Sequence, residues 1–468
     1  MPKFDVAILG GGNGGYAAAL RAAGLGLSVA IVENDKVGGT CLHLGCMPTK
    51  ALLHSAEVVE TVRAAGDFGI LVGEPNVDWG KVTSYKDSVV AKHYKGLQGL
   101  LKSKRVTTIA GKGRLASAGV IGVEGGENVQ APAVILSTGS YPRSLPFAKI
   151  DGEAFITSDH ALSAGDIPAS VIIIGAGAVG LEFASVYRSF GAQVTILEAL
   201  PRLAPGEDEE VSKELARQFA KRGIQSFTGV KVTKAENLGG QAEVTFESEG
   251  KSTTLTAERC LLSVGRAPRS EALGYEESGV KLDKGFVVTD ESCRTGIKGV
   301  FAVGDLITQP GLGLPFPHFQ LAHVAFAEGI HVAEQIAGAA TSAVNYVGVP
   351  RATYCTPEIA SVGLTEQQAV DAGHEVVTTK FNWAASGKAS ILGEAAGFVK
   401  VIAKRDGPIL GVHLIGPRVT ELVSEAQLMT NWEALASDAA NLIHAHPTLS
   451  EALGETMLKL SGKALHMS

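Results

Sequence analysis

The sequence predicts an α/β fold that carries one strand–helix–strand unit twice, and three observations support that expectation. Glycine makes up 57 of 468 residues, about 12% against a usual ~7%, without the three-residue period of a fibrous chain. The apolar run Phe4–Leu9 opens into Gly10-Gly11-Gly12-Asn13-Gly14-Gly15 and then the helix-like YAAALRAAGLG. The same succession returns at VIIIGAGAVGLEFASVYRSFGAQVTILE, from Val171 to Glu198. At ~150 residues per domain the length suggests roughly three domains, and 45% apolar residues suffice for packed cores.

In the first unit, Gly10 permits a tight turn after the strand, Gly12 leaves room for a pyrophosphate, and Gly15 lets the helix pack on the strand. The helix then points its positive end at the diphosphate. The next apolar run, SVAIVE, ends at Glu33, whose carboxylate can accept hydrogen bonds from an adenosine ribose. In the second unit Gly175, Gly177 and Gly180 follow strand Val171–Ile174, and Glu198 ends the next strand. The acid follows the first glycine by 23 residues in both copies. One such glycine pattern is weak evidence; two in the same frame predict two Rossmann-like dinucleotide-binding domains. Glu198 favours NAD over NADP, because a carboxylate there repels a 2′-phosphate. Arg202, four residues on, counts in the other direction.

Directly after the first unit comes GGTCLHLGCMPTK, with Cys41 and Cys46 near a predicted helix start. Two buried thiols would be the plain alternative. The flanking glycines, the Pro-Thr-Lys that follows and the adjoining nucleotide site favour a pair cycling between disulfide and dithiol. The helix terminus and Lys50 favour a thiolate. Far along the chain, AHPTLSEAL places His446 and Glu451 five residues apart. A lone histidine is more often structural, but a carboxylate within reach can orient an imidazole as a base. Cys260, Cys293 and Cys355 lack neighbouring partners and read as core thiols. His413, in GVHLIG, reads as sheet packing, and no cysteine–histidine spacing suggests zinc or another metal.

A formal charge of −7 disfavours a nucleic-acid partner, which would want a basic surface. The uncharged stretch Leu306–Ala327 holds three prolines, two glycines and two histidines, so it is not a membrane span. Five cysteines do not make a disulfide scaffold. The N-terminus enters a strand, with Asp5 interrupting any secretory apolar region, so the expected localisation is cytoplasmic.

GGTCLHLGCMPTK resembles the redox-active disulfide motif of the flavin-dependent pyridine nucleotide–disulfide oxidoreductases. The likeness runs from end to end: STGS at Ser137–Ser140, GAGAVGLE, VGRAP at Val264–Pro268, FAVGD at Phe301–Asp305, LAH at Leu321–His323 and HAHPTLSE at His444–Glu451. It implies FAD on the first unit, NAD on the second, and four regions. These are an FAD-binding domain at 1–147, an NAD-binding domain at 148–270, a central domain at 271–345 completing the FAD site, and an α+β C-terminal dimerisation (interface) domain at 346–468. Asp305 matches the acid that holds the flavin's ribityl chain. Lys50 and Glu182 match an ion pair beside the flavin's reactive edge. Ala322 and His323 open the helix whose N-terminus faces the pyrimidine side of the ring. Gly113, Thr138 and Gly139 match backbone positions lining the FAD site, and Gly265 the loop near NAD. Cys46 takes the place of the sulfur against the flavin and Cys41 that of the sulfur exchanging with substrate. His446, oriented by Glu451 and supported by His444, matches a base acting across the dimer interface.

Within the family the likeness is to enzymes that oxidise dihydrolipoamide. It implies a homodimer that converts protein-bound dihydrolipoamide to lipoamide and reduces NAD to NADH. The implied partner is a lipoylated acyltransferase or lipoyl carrier protein of a 2-oxoacid dehydrogenase complex. A related flavin disulfide reductase, or an NADH-dependent quinone reductase or diaphorase of the same fold, is the alternative. Three departures stand out. His43-Leu44 replaces the commoner Asn-Val in the redox motif, and Arg269 replaces asparagine after VGRAP, next to the NAD loop. Fifteen residues, LITQPGLGLPFPHFQ, separate Asp305 from Leu321, more than the family typically has, and are expected to reshape the substrate channel.

Overall fold

Strand Val6–Leu9 is buried at every position, as an uninterrupted VAIL run requires. A strand covered on both faces reads as a continuous apolar run rather than an alternating one. In the computed structural model, which describes residues 1–315 and 317–467, this strand is the centre of a five-stranded parallel sheet. The strand order is Val300–Ala302, Ala133–Leu136, Val6–Leu9, Val29–Glu33, Thr107–Ala110. The sheet belongs to the first of two compact units, made of residues 1–51, 81–143 and 266–345. Helices Asn13–Gly24 and Ala322–Ile336 pack together in this unit. Their backbones approach so closely that a Cβ on Gly329 would stand 2.3 Å from the Gly14 carbonyl oxygen. A small antiparallel sheet, Gly113–Ser117, Val120–Val123 and Val129–Gln130, contributes residues to the wall of the cleft described below.

The second unit comprises residues 52–80, 144–265 and 346–468 and repeats the arrangement. Its parallel sheet has the order Gln225–Thr228, Gln193–Glu198, Ser170–Ile174, Arg259–Leu262, Phe155–Ile156. The strand leading to the glycine turn is again central, with the acid-bearing strand beside it. An antiparallel sheet in the same unit shows the other pattern: Gln241–Ser248 alternates and buries Ala242, Val244 and Phe246.

The C-terminal part of this unit is α+β, as expected. Its five antiparallel strands run in the order Arg351–Thr353, Glu358–Gly363, Ile409–Gly416, Phe398–Lys404, Val376–Asn382. Helices Val419–Asn431 and Glu451–Leu460 pack on that sheet over a core of Trp383, Val399, Val412, Leu414 and Met457. Among the described residues, no helix is long and apolar enough to cross a membrane.

Candidate active site

The two glycine turns are built alike. Gly10 and Gly175 adopt φ of +100° and +104°, a region that a side chain makes costly. A Cβ on Gly15 would lie 2.0 Å from the Gly10 oxygen, and one on Gly180 would lie 2.1 Å from the Gly175 oxygen. The first and third glycines are therefore closed off by the protein's own backbone. The middle ones are open: the nearest atom to a Cβ on Gly12 is 4.0 Å away, and Gly177 has none within 4 Å. Gly12 and Gly177 also cap their helices without a side-chain hydrogen bond. Amide donors and open space thus coincide at the spot where a diphosphate would approach.

Glu33 and Glu198 are held in the same way. Glu33 accepts from the Gly11 amide at 2.7 Å and the Asp35 amide at 2.9 Å. Glu198, nearly buried, accepts from Ala176 at 2.6 Å and Leu200 at 2.8 Å. Each acid therefore pins its own glycine turn, a task that the sequence did not reveal. Arg202 is engaged by the turn that follows. Its Nη2 donates to the carbonyls of Pro205 at 3.0 Å and Glu207 at 3.2 Å. Gly265, with φ +95° and open space about it, lies in the second unit.

In the first unit a cleft of about 920 Å³ is lined by Gly10, Gly12, Glu33, Gly113, Thr138, Gly139 and Ser140, and also by Gly39, Thr40, His43 and Leu44. Its volume and its donor-rich glycine turn fit FAD. Thr138 Oγ1 donates to the Arg269 carbonyl at 2.6 Å, and the Arg269 amide donates to the Gly139 carbonyl at 2.8 Å. The Arg269 guanidinium lies over Tyr141, 5.6 Å from its ring centre, and the residue lines this cleft. Arg269, which takes the asparagine position after VGRAP, belongs to the wall of the first-unit cleft.

Asp305 accepts from Ser140 Oγ at 2.6 Å, and Arg266 Nε stands 3.8 Å away. Burial raises the Asp305 carboxyl above its ordinary range, opposed by the Ser140 bond and the Arg266 charge. Helix Ala322–Ile336, opened by Ala322 and His323, starts after an extended Leu321 without a side-chain cap. Its first amides are thus left to other partners.

The redox pair lies at helix starts, as expected, on two successive helices. Cys41 lies in Gly39–Leu44, Cys46 opens Cys46–Ala64, and Gly45 breaks the chain between them. Both sulfurs are partly buried thiols. The Cys41 thiol is lowered to about 7, chiefly by its hydrogen bond with Cys46; burial opposes the shift, and the Asn13 side chain and the Lys50 charge assist it. Asn13 belongs to the glycine turn, and nothing in the sequence separated it from its neighbours. His43, in place of the usual asparagine, donates from Nε2 to the Val37 carbonyl at 3.0 Å and sets its ring edge-on to Tyr94.

In the second unit Glu182, 4% exposed, accepts from the Tyr354 amide at 3.1 Å. His446 is 80% exposed at its side chain, and its Nδ1 lies 2.8 Å from Glu451 Oε1. The other oxygen of Glu451 accepts from the Thr448 amide at 2.7 Å. Burial raises the Glu451 carboxyl, but the Thr448 and His446 hydrogen bonds outweigh it and hold the group below its ordinary value. His444 pairs with Glu425 at 2.8 Å, a partner that sequence spacing did not suggest. Cys260, Cys293 and Cys355 are buried and form no disulfide. His413 is fully buried in its strand, 2.9 Å from the Leu364 carbonyl, as expected of sheet packing.

Comparison with known proteins gives the same outline. Residues 4–329 match the family described as pyridine nucleotide-disulphide oxidoreductase, and residues 349–457 match that family's dimerisation domain. The chain is 43% identical to a dihydrolipoyl dehydrogenase of Bacillus subtilis, covering 99% of each chain. It is 41% identical to one of Mycobacterium tuberculosis, covering 100% of each. The crystal structure of LpdA from Mycobacterium tuberculosis superposes with a TM-score of 0.88 at 26% identity, covering 98% of this chain and 100% of that one. Carrying both of the family's domains in order and related to its members over the full length, this chain belongs to the pyridine nucleotide-disulphide oxidoreductase family.

Proposed function

We propose that the chain is an FAD-dependent dihydrolipoyl dehydrogenase, which oxidises protein-bound dihydrolipoamide to lipoamide and reduces NAD to NADH. The observation that carries the reading is the place of the cysteine pair. Cys41 and Cys46 share a hydrogen bond, and the residues flanking Cys41 form part of the wall of the FAD-sized cleft.

In the oxidised protein the two sulfurs are joined. One substrate thiol gives its proton to His446 of the partner subunit, and the resulting thiolate attacks Cys41 Sγ. The Cys41–Cys46 bond breaks, and Cys46 leaves as a thiolate. The second substrate thiol then attacks the mixed disulfide, its proton passing to the departing Cys41 sulfur, which closes the lipoamide ring and releases Cys41 as a thiol. The substrate dithiol has become a disulfide and the protein disulfide a dithiol. Glu451, bonded to Nδ1, leaves Nε2 for the proton and favours the charged imidazole. FAD bound in the first-unit cleft would supply two-electron transfer between the dithiol and NAD. Asp305, Gly113, Thr138 and Gly139 are assigned to holding FAD, the Ala322–His323 helix start to its ring, and Lys50 and Glu182 to its reactive edge. Glu198, with Arg202 turned onto backbone carbonyls, supports NAD over NADP. Gly175, Gly177, Gly180 and Gly265 are assigned to that nucleotide.

The same reading makes the protein a cytoplasmic homodimer, served by a lipoylated acyltransferase or lipoyl carrier protein. The FAD, NAD, central and interface domains are taken at 1–147, 148–270, 271–345 and 346–468. The test is the purified protein mixed with dihydrolipoamide and NAD. A yellow protein forming NADH is expected. A colourless protein, or a yellow one that reduces quinones or other disulfides but leaves dihydrolipoamide untouched, would overturn the reading.

A further inference from the structure

The side chain of Glu328 is fully buried within helix Ala322–Ile336, and the chemistry above makes no use of it. A carboxylate cut off from water is tolerated only when donors satisfy it. One oxygen accepts from the Gly304 amide at 2.6 Å, and Gly304 immediately precedes Asp305. The other lies 2.7 Å from Nε2 of His318, whose side chain is only 4% exposed. Because an ionised carboxylate only accepts, the histidine ring donates.

His318 comes from the long segment 306–320, in which Phe316 lies outside the described residues. Other bonds tie the segment down. Gln320 Nε2 donates to the Asp305 carbonyl at 3.3 Å, and Gln309 Nε2 to the Asp290 carbonyl at 2.8 Å. Gly304 adopts φ +77°, where glycine's backbone preferences do little to fix the peptide's direction. The bond to its amide is therefore one of the contacts that orient this turn, beside the Ile307 amide that donates to the Gly304 carbonyl.

We propose that His318 is a positioning residue for the flavin site: through Glu328 it fixes the Gly304 amide, and with it the direction of the neighbouring Asp305 carboxylate. The inserted segment thus supplies a buried strut to the flavin-holding turn. This inference rests on the FAD reading and extends it to a residue outside the motifs by which the family is recognised.

The experiment uses FAD-loaded protein and two readouts: the rate of FAD release, followed by flavin fluorescence after dilution, and the flavin midpoint potential. His318→Leu removes the donor from a buried carboxylate and is expected to speed FAD release about 10- to 100-fold and to shift the potential. His318→Gln can place an amide nitrogen where the ring Nε2 stands, and is expected to restore both values. Gln309→Ala loosens the segment without touching Glu328, and is expected to leave both at wild type. If His318→Leu does not fold, His318→Asn, polar but too short to reach Glu328, replaces it with the same expectation. Wild-type release and potential in the donor-less variant would overturn the proposal. So would a His318→Gln protein as impaired as His318→Leu, or a Gln309→Ala protein impaired equally. A wild-type protein that binds no FAD would instead overturn the cofactor reading itself.

Discussion

Replacing Cys46 by alanine removes the group that does most to hold the Cys41 thiol at about 7, against an ordinary value of 9.0. With that hydrogen bond gone, burial pushes the thiol up while Asn13 and Lys50 pull it down, so its pKa is expected to return to near 9. At pH 7 the thiolate fraction then falls from about one half to ~1%. Nucleophilicity moves the other way. A Brønsted slope of ~0.45 over two pH units makes the remaining thiolate about 8-fold more reactive. The alkylation rate at pH 7 therefore drops only about 6-fold, and the midpoint of the pH profile is the more discriminating quantity. The assay is iodoacetamide labelling of reduced, flavin-free protein from pH 5 to 10, with Cys41 followed by peptide mass. The expected midpoint moves from about 7 in wild type to about 9 in Cys46→Ala. Cys260 and Cys355 will not confuse the reading, since burial alone or chiefly raises both thiols far above that range. A folded value below the unfolded one also contributes stability that is present above pH 9 and lost as pH falls through about 7. The reduced wild type should therefore gain stability across that window and Cys46→Ala should gain less. A midpoint near 7 in both proteins would refute the assignment of the shift to Cys46.

Three further outcomes are expected. Glu198→Gln removes the charge opposing a 2′-phosphate while keeping one acceptor for the turn amides; the NAD-over-NADP ratio of kcat/KM should fall by the equivalent of about 1–3 kcal/mol, and an unchanged ratio would remove the argument from charge. Gly180→Ala drives a Cβ to within 2.1 Å of the Gly175 oxygen, so it should cost about 1–3 kcal/mol of stability and abolish nucleotide binding at the second turn while FAD stays bound, as titration with NADH would register. For subunits sharing their active sites, inactive Cys41→Ser and His446→Gln proteins allowed to exchange should regain roughly a quarter of wild-type activity, because half the dimers are hybrids with one intact site each; no recovery after proven exchange would place the base in its own chain.

The features that the sequence alone determined are those written in short stretches. Strand, glycine turn, helix, strand and acid fall within about thirty residues in both copies. Local propensity and the steric needs of Gly10, Gly15, Gly175 and Gly180 impose that order whatever the rest of the chain does. The cysteine pair, Cys46 with Lys50, and His446 with Glu451 were legible for the same reason: five residues or fewer separate the members of each pair.

Tertiary structure decided which side chains from distant segments complete these local frames. Arg269, whose place after VGRAP said nothing of its surroundings, lines the first-unit cleft. Asn13 reaches Cys41 from the glycine turn, Arg202 folds back onto Pro205 and Glu207, and the Tyr354 amide reaches Glu182 across 172 residues of chain. His318, in a segment that composition marked only as proline- and glycine-rich, became the donor to a buried carboxylate. Sequence spacing cannot announce such partners. A buried charge or a strained glycine turn requires some donor or acceptor nearby, but the packing of sheets and helices chooses which residue stands there.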